Sequence, residues 1–270
     1  MTDLVVTTSR TVSSDAVARA AIWSQRLDAC FVSRNERSVE ALCRDEDAKA
    51  ALVVAAGRDT YHQPAAGIEY FFHPNLASMR IRNLEAGRAD HLVRAMQLAP
   101  GDEVLDCTLA RASDAILCAY VVGETGRVVG LEKVPVIAYL TIEGLRTGHF
   151  VSNRFTALMR RVDARCADHN DFLPACEDAS FDVVYFDPVF HAPITESLSM
   201  ADLRALAHKE GVTPGAVAEA QRVARRCVVI KQRGGTGLWR QLGVTQVHRG
   251  GGSRVEYGVL PASAALAVLT

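Results

Sequence analysis

Five short apolar runs lie between residues 104 and 230 of this 270-residue chain. They alternate with stretches in which apolar residues recur at helical spacing. Strands that are separated by helices in this way run parallel, with the helices packed on both faces of the sheet. The predicted strands are 104–106, 127–131, 162–164, 183–186 and 228–230, and the predicted helices are 113–122, 135–145, 152–160 and 214–225. The predicted fold class is therefore α/β, with a Rossmann-like, mostly parallel sheet.

The end of the chain follows a different pattern. Two apolar stretches, 244–248 and 255–260, flank the sequence Arg-Gly-Gly-Gly at 249–252, which is typical of a terminal antiparallel hairpin. Dinucleotide dehydrogenases continue their sheet with parallel strands, whereas class I methyltransferases that use S-adenosylmethionine finish with such a hairpin. The hairpin therefore favours the methyltransferase class.

The first third of the chain has a different pattern of predicted strands and helices. Short strands are predicted at 4–8, 30–32, 51–54 and 68–72, with an alanine-rich helix at 13–27. We therefore predict two domains, a small N-terminal α/β module at 1–84 and an S-adenosylmethionine-binding Rossmann-like domain at 85–270. The module is the expected source of substrate specificity.

Composition and charge indicate where the protein is located and which partners it can have. The net charge is −1, the N-terminus lacks a secretory pattern, and no window reaches the roughly 18–20 apolar residues of a membrane span. These features predict a cytoplasmic protein with no membrane partner. The near-neutral charge disfavours a nucleic-acid coat protein, but basic clusters at 80–88 and 222–233 permit an RNA substrate. The histidines at 73, 149 and 191 lack the spacing of a metal site, so no metal is expected, and the oligomeric state stays open.

The turn at 106–114, directly after the first strand of the sheet, is the predicted cofactor site. Ligands of open α/β sheets bind beyond the carboxyl ends of the strands. The turn lacks the G-x-G-x-x-G pattern that a pyrophosphate requires, so a nicotinamide or flavin dinucleotide is not expected. S-adenosylmethionine carries an ammonium and a carboxylate instead. An acid such as Asp106 can pair with the ammonium, and the helix start near Ser113 can receive the carboxylate.

Acidic residues also follow the next two strands. Glu132 follows the second strand and is placed to accept hydrogen bonds from two ribose hydroxyls. Asp168 follows the third strand and is placed to accept one from the adenine amino group. Each acid alone has an ordinary explanation as a helix cap or a solvated loop charge. Three acids after three successive strands favour one shared site for S-adenosylmethionine.

The tetrapeptide Asp-Pro-Val-Phe at 187–190 follows the fourth strand. A carboxylate at Asp187 and a backbone carbonyl can accept the two hydrogens of an aromatic amine and direct its lone pair at a methyl group. Pro188 would fix the turn, and Phe190 would offer a face for a base to stack on. The alternative interpretation is a strand-terminating turn with a core phenylalanine.

Four motifs at these places carry a family resemblance. They are D-C-T-L-A-R-A-S-D at 106–114, D-P-V-F at 187–190, V-I-K-Q-R at 229–233 and G-S-R-V-E-Y-G at 252–258. Over roughly residues 75–260 the chain resembles the S-adenosylmethionine-dependent methyltransferase family that includes the bacterial small-subunit ribosomal RNA guanine-N2 methyltransferase J. The resemblance implies cofactor contacts at Ser113, Asp114, Glu132, Lys133, Asp168, His169 and Asp187.

The predicted site thus has three parts. The predicted cofactor-binding residues are Asp106, Thr108, Ser113, Asp114, Glu132, Lys133, Asp168 and His169. The predicted catalytic residues are Asp187, Pro188 and Phe190. The predicted substrate contacts are Lys231, Arg233 and Arg254.

The chain departs from the family pattern at several of these places. Alanines 110 and 112 replace two glycines, and a Cβ costs about 1–2 kcal/mol at each position if the turn needs a positive φ there. His-Ala-Pro at 191–193 and Gly251 replace segments in which the family carries basic residues. Three hypotheses follow. The chain is an amino methyltransferase acting on guanine N2 of ribosomal RNA, a methyltransferase for a small molecule or a protein, or a non-catalytic binding module.

Overall fold

The computed structural model of this protein describes residues 2–74, 76–148, 152–188, 211–233, 237–244, 246–250 and 255–263. Within them the chain forms two β-sheets. The strands are β1 (Thr2–Thr8), β2 (Cys30–Phe31), β3 (Ala48–Val54), β4 (Thr60–Gln63), β5 (Ile68–Tyr70), β6 (Glu103–Asp106), β7 (Arg127–Glu132), β8 (Val162–Cys166), β9 (Phe181–Phe186), β10 (Ala224–Arg233), β11 (Gln246–Arg249) and β12 (Val255–Pro261). The helices are α1 (Ser14–Leu27), α2 (Val39–Asp45), α3 (Ala77–Glu85), α4 (His91–Met96), α5 (Ser113–Val122), α6 (Pro135–Thr147), α7 (Asn153–Met159), α8 (His169–Phe172), α9 (Pro214–Val223) and α10 (Leu238–Gln241).

The larger sheet has seven strands in the order β11-β12-β10-β9-β6-β7-β8. Strands β6 to β10 pair in parallel, whereas β12 and β11 pair antiparallel at one edge. This is the Rossmann-like α/β sheet with a C-terminal antiparallel hairpin that the alternation predicts, so the predicted fold class is confirmed. The strand order places β6 beside β9. From this position successive strands are added toward opposite edges of the sheet, and ligands of such folds bind here.

The core of the larger sheet lies on both of its faces. Along β9, Val183 and Tyr185 pack into the layer formed with α3, α4, α5 and α7, and Val184 and Phe186 pack into the layer formed with α9. A strand buried on both faces requires a continuous apolar sequence, which explains why 183–186 has no polar alternation. Each large side chain buried in this way contributes about 1.5–3 kcal/mol to folding.

Side-chain caps explain where several helices begin. Asp90 accepts hydrogen bonds from Leu92 N and Val93 N at the start of α4. Ser152 and Thr213 accept corresponding bonds at the starts of α7 and α9. Each cap satisfies backbone N–H groups that have no partner within the helix. None of the helices in the described ranges is long and apolar enough to cross a membrane.

The smaller sheet has the order β2-β1-β3-β4-β5, in which β1, β2 and β3 are parallel and β4 and β5 are antiparallel. It packs through α1 onto α6, because Ala20 and Trp23 share a buried cluster with Ile137 and Leu140. Helix α3 runs across residue 84 and packs into the core of the larger sheet. The domain division at residue 84 stays a prediction. The sequence patterns did not identify α2, α3 or β4.

Gln97 offers a test of backbone strain in the fold. It ends α4 in the left-handed conformation with φ 52° and is exposed. Replacing Gln97 with glycine is expected to raise the free energy of unfolding by about 0.5–1 kcal/mol. Relief of the left-handed Cβ strain is only partly offset by the greater freedom of glycine in the unfolded chain. Urea unfolding followed by circular dichroism measures the change. The matched control is Gln97→Ala, and equal stability of the glycine and alanine variants would contradict the expectation.

Candidate functional site

Backbone hydrogen bonds join the loops at the carboxyl ends of the central strands. Cys107 N donates to Tyr185 O at 2.9 Å, and Leu109 N donates to Leu131 O at 2.8 Å. These bonds continue the pairing of β6 with β9 and with β7 beyond the strands themselves. The predicted cofactor turn and the start of the predicted catalytic turn therefore lie side by side at one edge of the larger sheet.

Thr108 connects these two turns through its hydroxyl group. Thr108 Oγ1 accepts a hydrogen bond from Asp187 N at 2.5 Å and donates one to Asp106 Oδ1 at 3.4 Å. Asp106 Oδ1 also accepts from Thr108 N at 3.0 Å. The Asp106 side chain is 2% exposed, and burial raises the pKa of Asp106 to about 8, assisted by the neighbouring carboxylates of Asp114 and Asp187. Asp106 is therefore largely protonated at neutral pH.

The two alanines of the cofactor turn adopt a left-handed backbone conformation, which favours glycine. Ala110 has φ 46° and Ala112 has φ 58°, both in the left-handed region. Both positions therefore meet the condition under which a Cβ is unfavourable, and each Cβ costs about 1–2 kcal/mol there. Hydrogen bonds stabilise the turn against this strain, since Ala110 N donates to Glu132 Oε2 at 3.1 Å and Thr141 Oγ1 donates to Ala110 O at 2.7 Å.

Glu132 connects the cofactor turn to the end of β7. Its Oε2 accepts the hydrogen bond from Ala110 N, and its Oε1 accepts one from Val134 N at 2.9 Å. Burial raises the pKa of Glu132, and these backbone bonds oppose the shift. Each carboxylate oxygen has more than one lone pair, so both can accept a further hydrogen bond from a ligand hydroxyl. Glu132 thus combines a structural contact with the predicted ribose contact.

Asp168 is both a helix cap and a member of an ion pair. Its Oδ1 accepts from Asn170 N at 2.9 Å at the start of α8, and its Oδ2 lies 2.7 Å from Lys133 Nζ. The ion pair and the cap outweigh burial and lower the pKa of Asp168. The next residue, His169, packs edge-on against Phe186 with 5.3 Å between the ring centroids, and burial lowers the pKa of His169. Asp168 therefore caps α8 at the carboxyl edge of the larger sheet, and its contact with adenine stays a prediction.

Acidic and basic side chains alternate in a connected series of ion pairs that leads from the catalytic turn to α3. Lys231 Nζ lies 2.7 Å from Asp187 Oδ2 and 3.3 Å from Asp114 Oδ2. Asp114 also forms an ion pair with Arg80, whose Nε lies 2.8 Å from Asp90 Oδ2. We call the five residues Asp187, Lys231, Asp114, Arg80 and Asp90 the charge ladder.

The charge ladder sets the ionisation of its members. Burial disfavours the charge of Asp114, but Lys231 and Arg80 outweigh it and lower the pKa of Asp114 well below its usual range. Burial raises the pKa of Asp187, and the ammonium of Lys231 opposes this shift. Lys231 itself loses solvation, but the two carboxylates outweigh that loss and raise its pKa. Lys231 and Asp114 are therefore charged at neutral pH.

Some predicted residues lie apart from this cluster or outside the described ranges. Ser113 Oγ donates to Pro74 O at 3.2 Å, which connects the start of α5 to the segment after the smaller sheet. Pro188 is half-buried beside Asp187. Phe190 and Arg254 lie outside the described residues, and of Arg233 only the backbone at the end of β10 is described.

Sequence patterns missed two contributors to the site. Arg80 was noted only as part of a basic cluster, and Tyr185 only as a buried strand residue. Tyr185 Oη donates to Asp114 Oδ2 at 2.9 Å. In both cases the partner is distant along the chain, so no local spacing indicates the contact. Within the described part of the chain, no group of three histidine, cysteine or acidic side chains is placed to hold a metal ion.

Comparison with known proteins identifies the family of the chain. A family profile described as "Putative SAM-dependent methyltransferase" matches residues 39–242. The chain belongs to this methyltransferase family. A relative from Bacillus subtilis strain 168, named "Uncharacterized protein YpiP", is 36% identical over 259 residues, which cover 96% of this chain and 100% of the relative. The activity is therefore S-adenosylmethionine-dependent methyl transfer.

Two further similarities agree with this assignment. "Ribosomal RNA small subunit methyltransferase J" of Yersinia pseudotuberculosis serotype O:3 is 28% identical over 200 residues, 71% of this chain and 76% of the relative. A crystal structure of a SAM-dependent methyltransferase from Neisseria gonorrhoeae superposes with a TM-score of 0.65 at 15% identity, covering 98% of each chain. The structural likeness extends over both sheets and confirms the fold.

The residues at the carboxyl edge fit the chemistry of S-adenosylmethionine. Asp106 Oδ2 accepts no hydrogen bond from the described residues, so it is suited to the cofactor ammonium. The Glu132 oxygens retain lone pairs for the ribose hydroxyls, and the start of α5 after Ala112 suits the carboxylate. The assignment of each residue to its contact stays a prediction.

The ionisation of Asp106 leads to a prediction for cofactor affinity. The ammonium group of the ligand prefers the carboxylate form of Asp106, but the pKa of Asp106 is about 8 in the free protein. Affinity for S-adenosylhomocysteine is expected to increase as the pH rises from 6 to 8, by up to about tenfold per pH unit, and then to level off. Binding near pH 7 should release a proton, which isothermal titration in buffers of different ionisation enthalpy measures. Asp106→Asn cannot titrate and is expected to remove the dependence; the same slope in that variant would refute the role of Asp106.

Glu132 allows a second test of the cofactor site. Glu132→Ala is expected to weaken binding of S-adenosylhomocysteine by about 1.5–3 kcal/mol, the usual loss for a charged hydrogen-bond acceptor. It also removes the bond to Ala110 N, so the urea midpoint should fall as well. Titration calorimetry and urea unfolding measure the two effects. The matched control is Glu124→Ala, an exposed acid before the other end of β7. Unaltered affinity in Glu132→Ala would discredit the ribose contact.

Proposed function

We propose that this methyltransferase acts on an exocyclic amino group, namely guanine N2 of ribosomal RNA. The position of Asp187 is the observation that carries the proposal. Asp187 N donates to Thr108 in the cofactor turn, whereas Asp187 Oδ1 accepts no hydrogen bond from the described residues. The side chain is 27% exposed, so a ligand can reach it. A carboxylate oxygen that is accessible beside the cofactor turn is what an amino substrate requires.

The chemistry of an aromatic amine explains the need for this oxygen. The nitrogen is a weak nucleophile because its lone pair is delocalised into the ring. Asp187 Oδ1 and a main-chain carbonyl of the same turn would each accept one N–H hydrogen, which directs the lone pair out of the ring plane. Pro188 restricts the backbone of the turn. Phe190, outside the described residues, is predicted to stack on the base.

When bound, S-adenosylmethionine supplies a methyl carbon whose bond to the sulfonium sulfur breaks, with the electron pair going to sulfur, as the amino nitrogen attacks. Asp187 Oδ1 then takes the proton that the methylated nitrogen loses. It can do so even beside Lys231, since a methylated aromatic ammonium is a far stronger acid than a carboxylic acid. Thr108 keeps the turn in place during the transfer through its bond to Asp187 N.

The relatives support ribosomal RNA as the substrate. Those named "Ribosomal RNA small subunit methyltransferase J" align with 71% of this chain at 28% identity. Arg82 and Arg88 are exposed in and just after α3, the helix that carries Arg80, and provide cations for a phosphate backbone. This substrate is found in the cytoplasm, in agreement with the predicted location.

A small molecule or a protein is the second candidate substrate. The observation that favours it is the loss of family basic residues at 193 and 251, together with a net charge of −1. Fewer cations near the site suit a substrate without phosphates. The remaining hypothesis, a non-catalytic binding module, is set aside because the chain belongs to a methyltransferase family.

Ribosomal RNA from a strain that lacks the gene tests the proposal. We expect one N2-methylguanine to be missing from the small-subunit RNA and to return when the wild-type gene is supplied. Asp187→Ala is expected to abolish the modification while leaving affinity for S-adenosylhomocysteine within a few fold, because Asp187 faces the substrate. Mass spectrometry of RNA fragments and titration calorimetry measure the two quantities.

Asp171→Ala serves as the matched control, since Asp171 is an exposed acid in α8 at the same edge of the sheet. It is expected to restore the modification fully. An unchanged modification pattern in the deletion strain, with intact cofactor binding, would favour the second candidate substrate. Loss of cofactor binding in Asp187→Ala would show that the turn is structural.

A further inference from the structure

Lys231 is placed by strand pairing beside the catalytic turn. Ile230 of β10 pairs with Phe186 of β9, so the next residue on each strand is Lys231 and Asp187, respectively. On its other side Lys231 pairs with Tyr257 of β12. The Lys231 side chain is only 20% exposed, and its ammonium contacts both Asp187 and Asp114. The sheet register therefore fixes the ammonium between two carboxylates.

Every element around Asp187 adds a charged or titratable group. The carboxyls are those of Asp106 at the end of β6 and Asp114 in α5. The hydroxyls are those of Tyr185 in β9 and Tyr257 in β12, and the cations are Lys231 in β10 and Arg80 in α3. Arg80 also neutralises Asp90 and contacts Asp114. Lys231 is thus the one cation among these groups that is within hydrogen-bond distance of Asp187.

We propose that Lys231 is a positioning residue for methyl transfer, which holds Asp187 Oδ2 so that Oδ1 is ionised and directed at the substrate amino group. This inference rests on the proposed amino-group chemistry. The Nζ to Oδ2 distance of 2.7 Å is that of a charge-assisted hydrogen bond, and the second bond to Asp114 restricts rotation of the ammonium. With one oxygen fixed in this way, the orientation of the other oxygen is fixed as well.

The ammonium of Lys231 also influences which amines can bind. A protonated aliphatic amine bound to Asp187 would lie close to the ammonium of Lys231, which would repel it. A neutral aromatic amine needs only a hydrogen-bond acceptor, which Asp187 Oδ1 supplies. The ammonium of Lys231 therefore favours a neutral exocyclic amino group over charged side chains such as lysine.

The pH dependence of Asp187 distinguishes this role from a structural one. In Lys231→Met, burial and the neighbouring Asp114 carboxylate are no longer opposed by a directly bonded cation. The pKa of Asp187 is expected to rise by about 1–3 pH units. Carbon-13 NMR of the aspartate carboxyls in the free protein measures it, with Asp187→Asn to assign the signal. Lys231→Arg is expected to restore the wild-type titration, because it restores the cation.

The matched control is Lys49→Met, which removes an exposed lysine from its 2.6 Å pair with Asp3 in the smaller sheet. It is expected to leave Asp187 unchanged. Affinity of Lys231→Met for S-adenosylhomocysteine should stay within a few fold of wild type, which also verifies that the variant is folded. Titration of Asp187 at the wild-type pH in Lys231→Met, or failure of Lys231→Arg to restore it, would overturn the proposal.

Methyl transfer provides the second readout. Below the raised pKa, the rate of Lys231→Met is expected to increase about tenfold per pH unit, from a value at pH 7 at least tenfold below wild type. A pH profile parallel to wild type would also overturn the proposal. If wild-type protein does not methylate ribosomal RNA, the proposed substrate fails, and the carboxyl titration still decides the role of Lys231.

Discussion

Burial of three carboxyl groups at one sheet edge is the constraint on which the site depends. Asp106, Asp114 and Asp187 surround the point where β6 and β9 end, and two cations, Lys231 and Arg80, lie among them. Buried charges of one sign are unstable together unless they are paired or protonated. Here one carboxyl is largely protonated and two are paired. This division of roles leaves a largely neutral acid near the predicted cofactor ammonium and an ion-paired one near the predicted substrate.

The smaller sheet contributes to the site although none of its own residues belongs to it. Ser113 Oγ is bonded to Pro74 O, directly after the smaller sheet, and the guanidinium of Arg111 lies 4.8 Å from the ring centroid of Tyr70 in β5. Arg111 is 6% exposed and belongs to the cofactor turn, so its cation–π contact ties the turn to the smaller sheet. A change in how the smaller sheet packs would therefore alter the cofactor turn.

Much of this arrangement follows from local sequence. Apolar periodicity predicts the parallel sheet and its hairpin, and the acids after successive strands predict which edge carries the site. The replacement of two family glycines indicates where a positive φ would be costly, and Ala110 and Ala112 both have one. The sequence does not predict contacts between side chains that are far apart along the chain. Arg80 contacts an acid 34 residues away, and Lys231 contacts the same acid 117 residues away. Such partners depend on the register and packing of the sheet, which no single segment encodes.

The two left-handed alanines have a further consequence for binding. A glycine turn samples many backbone conformations before a ligand arrives, and ordering it costs conformational entropy at that moment. Alanine at the same positions has fewer accessible conformations, and the bonds to Glu132 and Thr141 restrict Ala110 further. The free-energy cost of the left-handed backbone at these alanines arises when the chain folds, before any ligand binds. The ligand then binds to a turn that is already ordered. The left-handed alanines therefore lower the stability of the fold but reduce the entropy cost of binding.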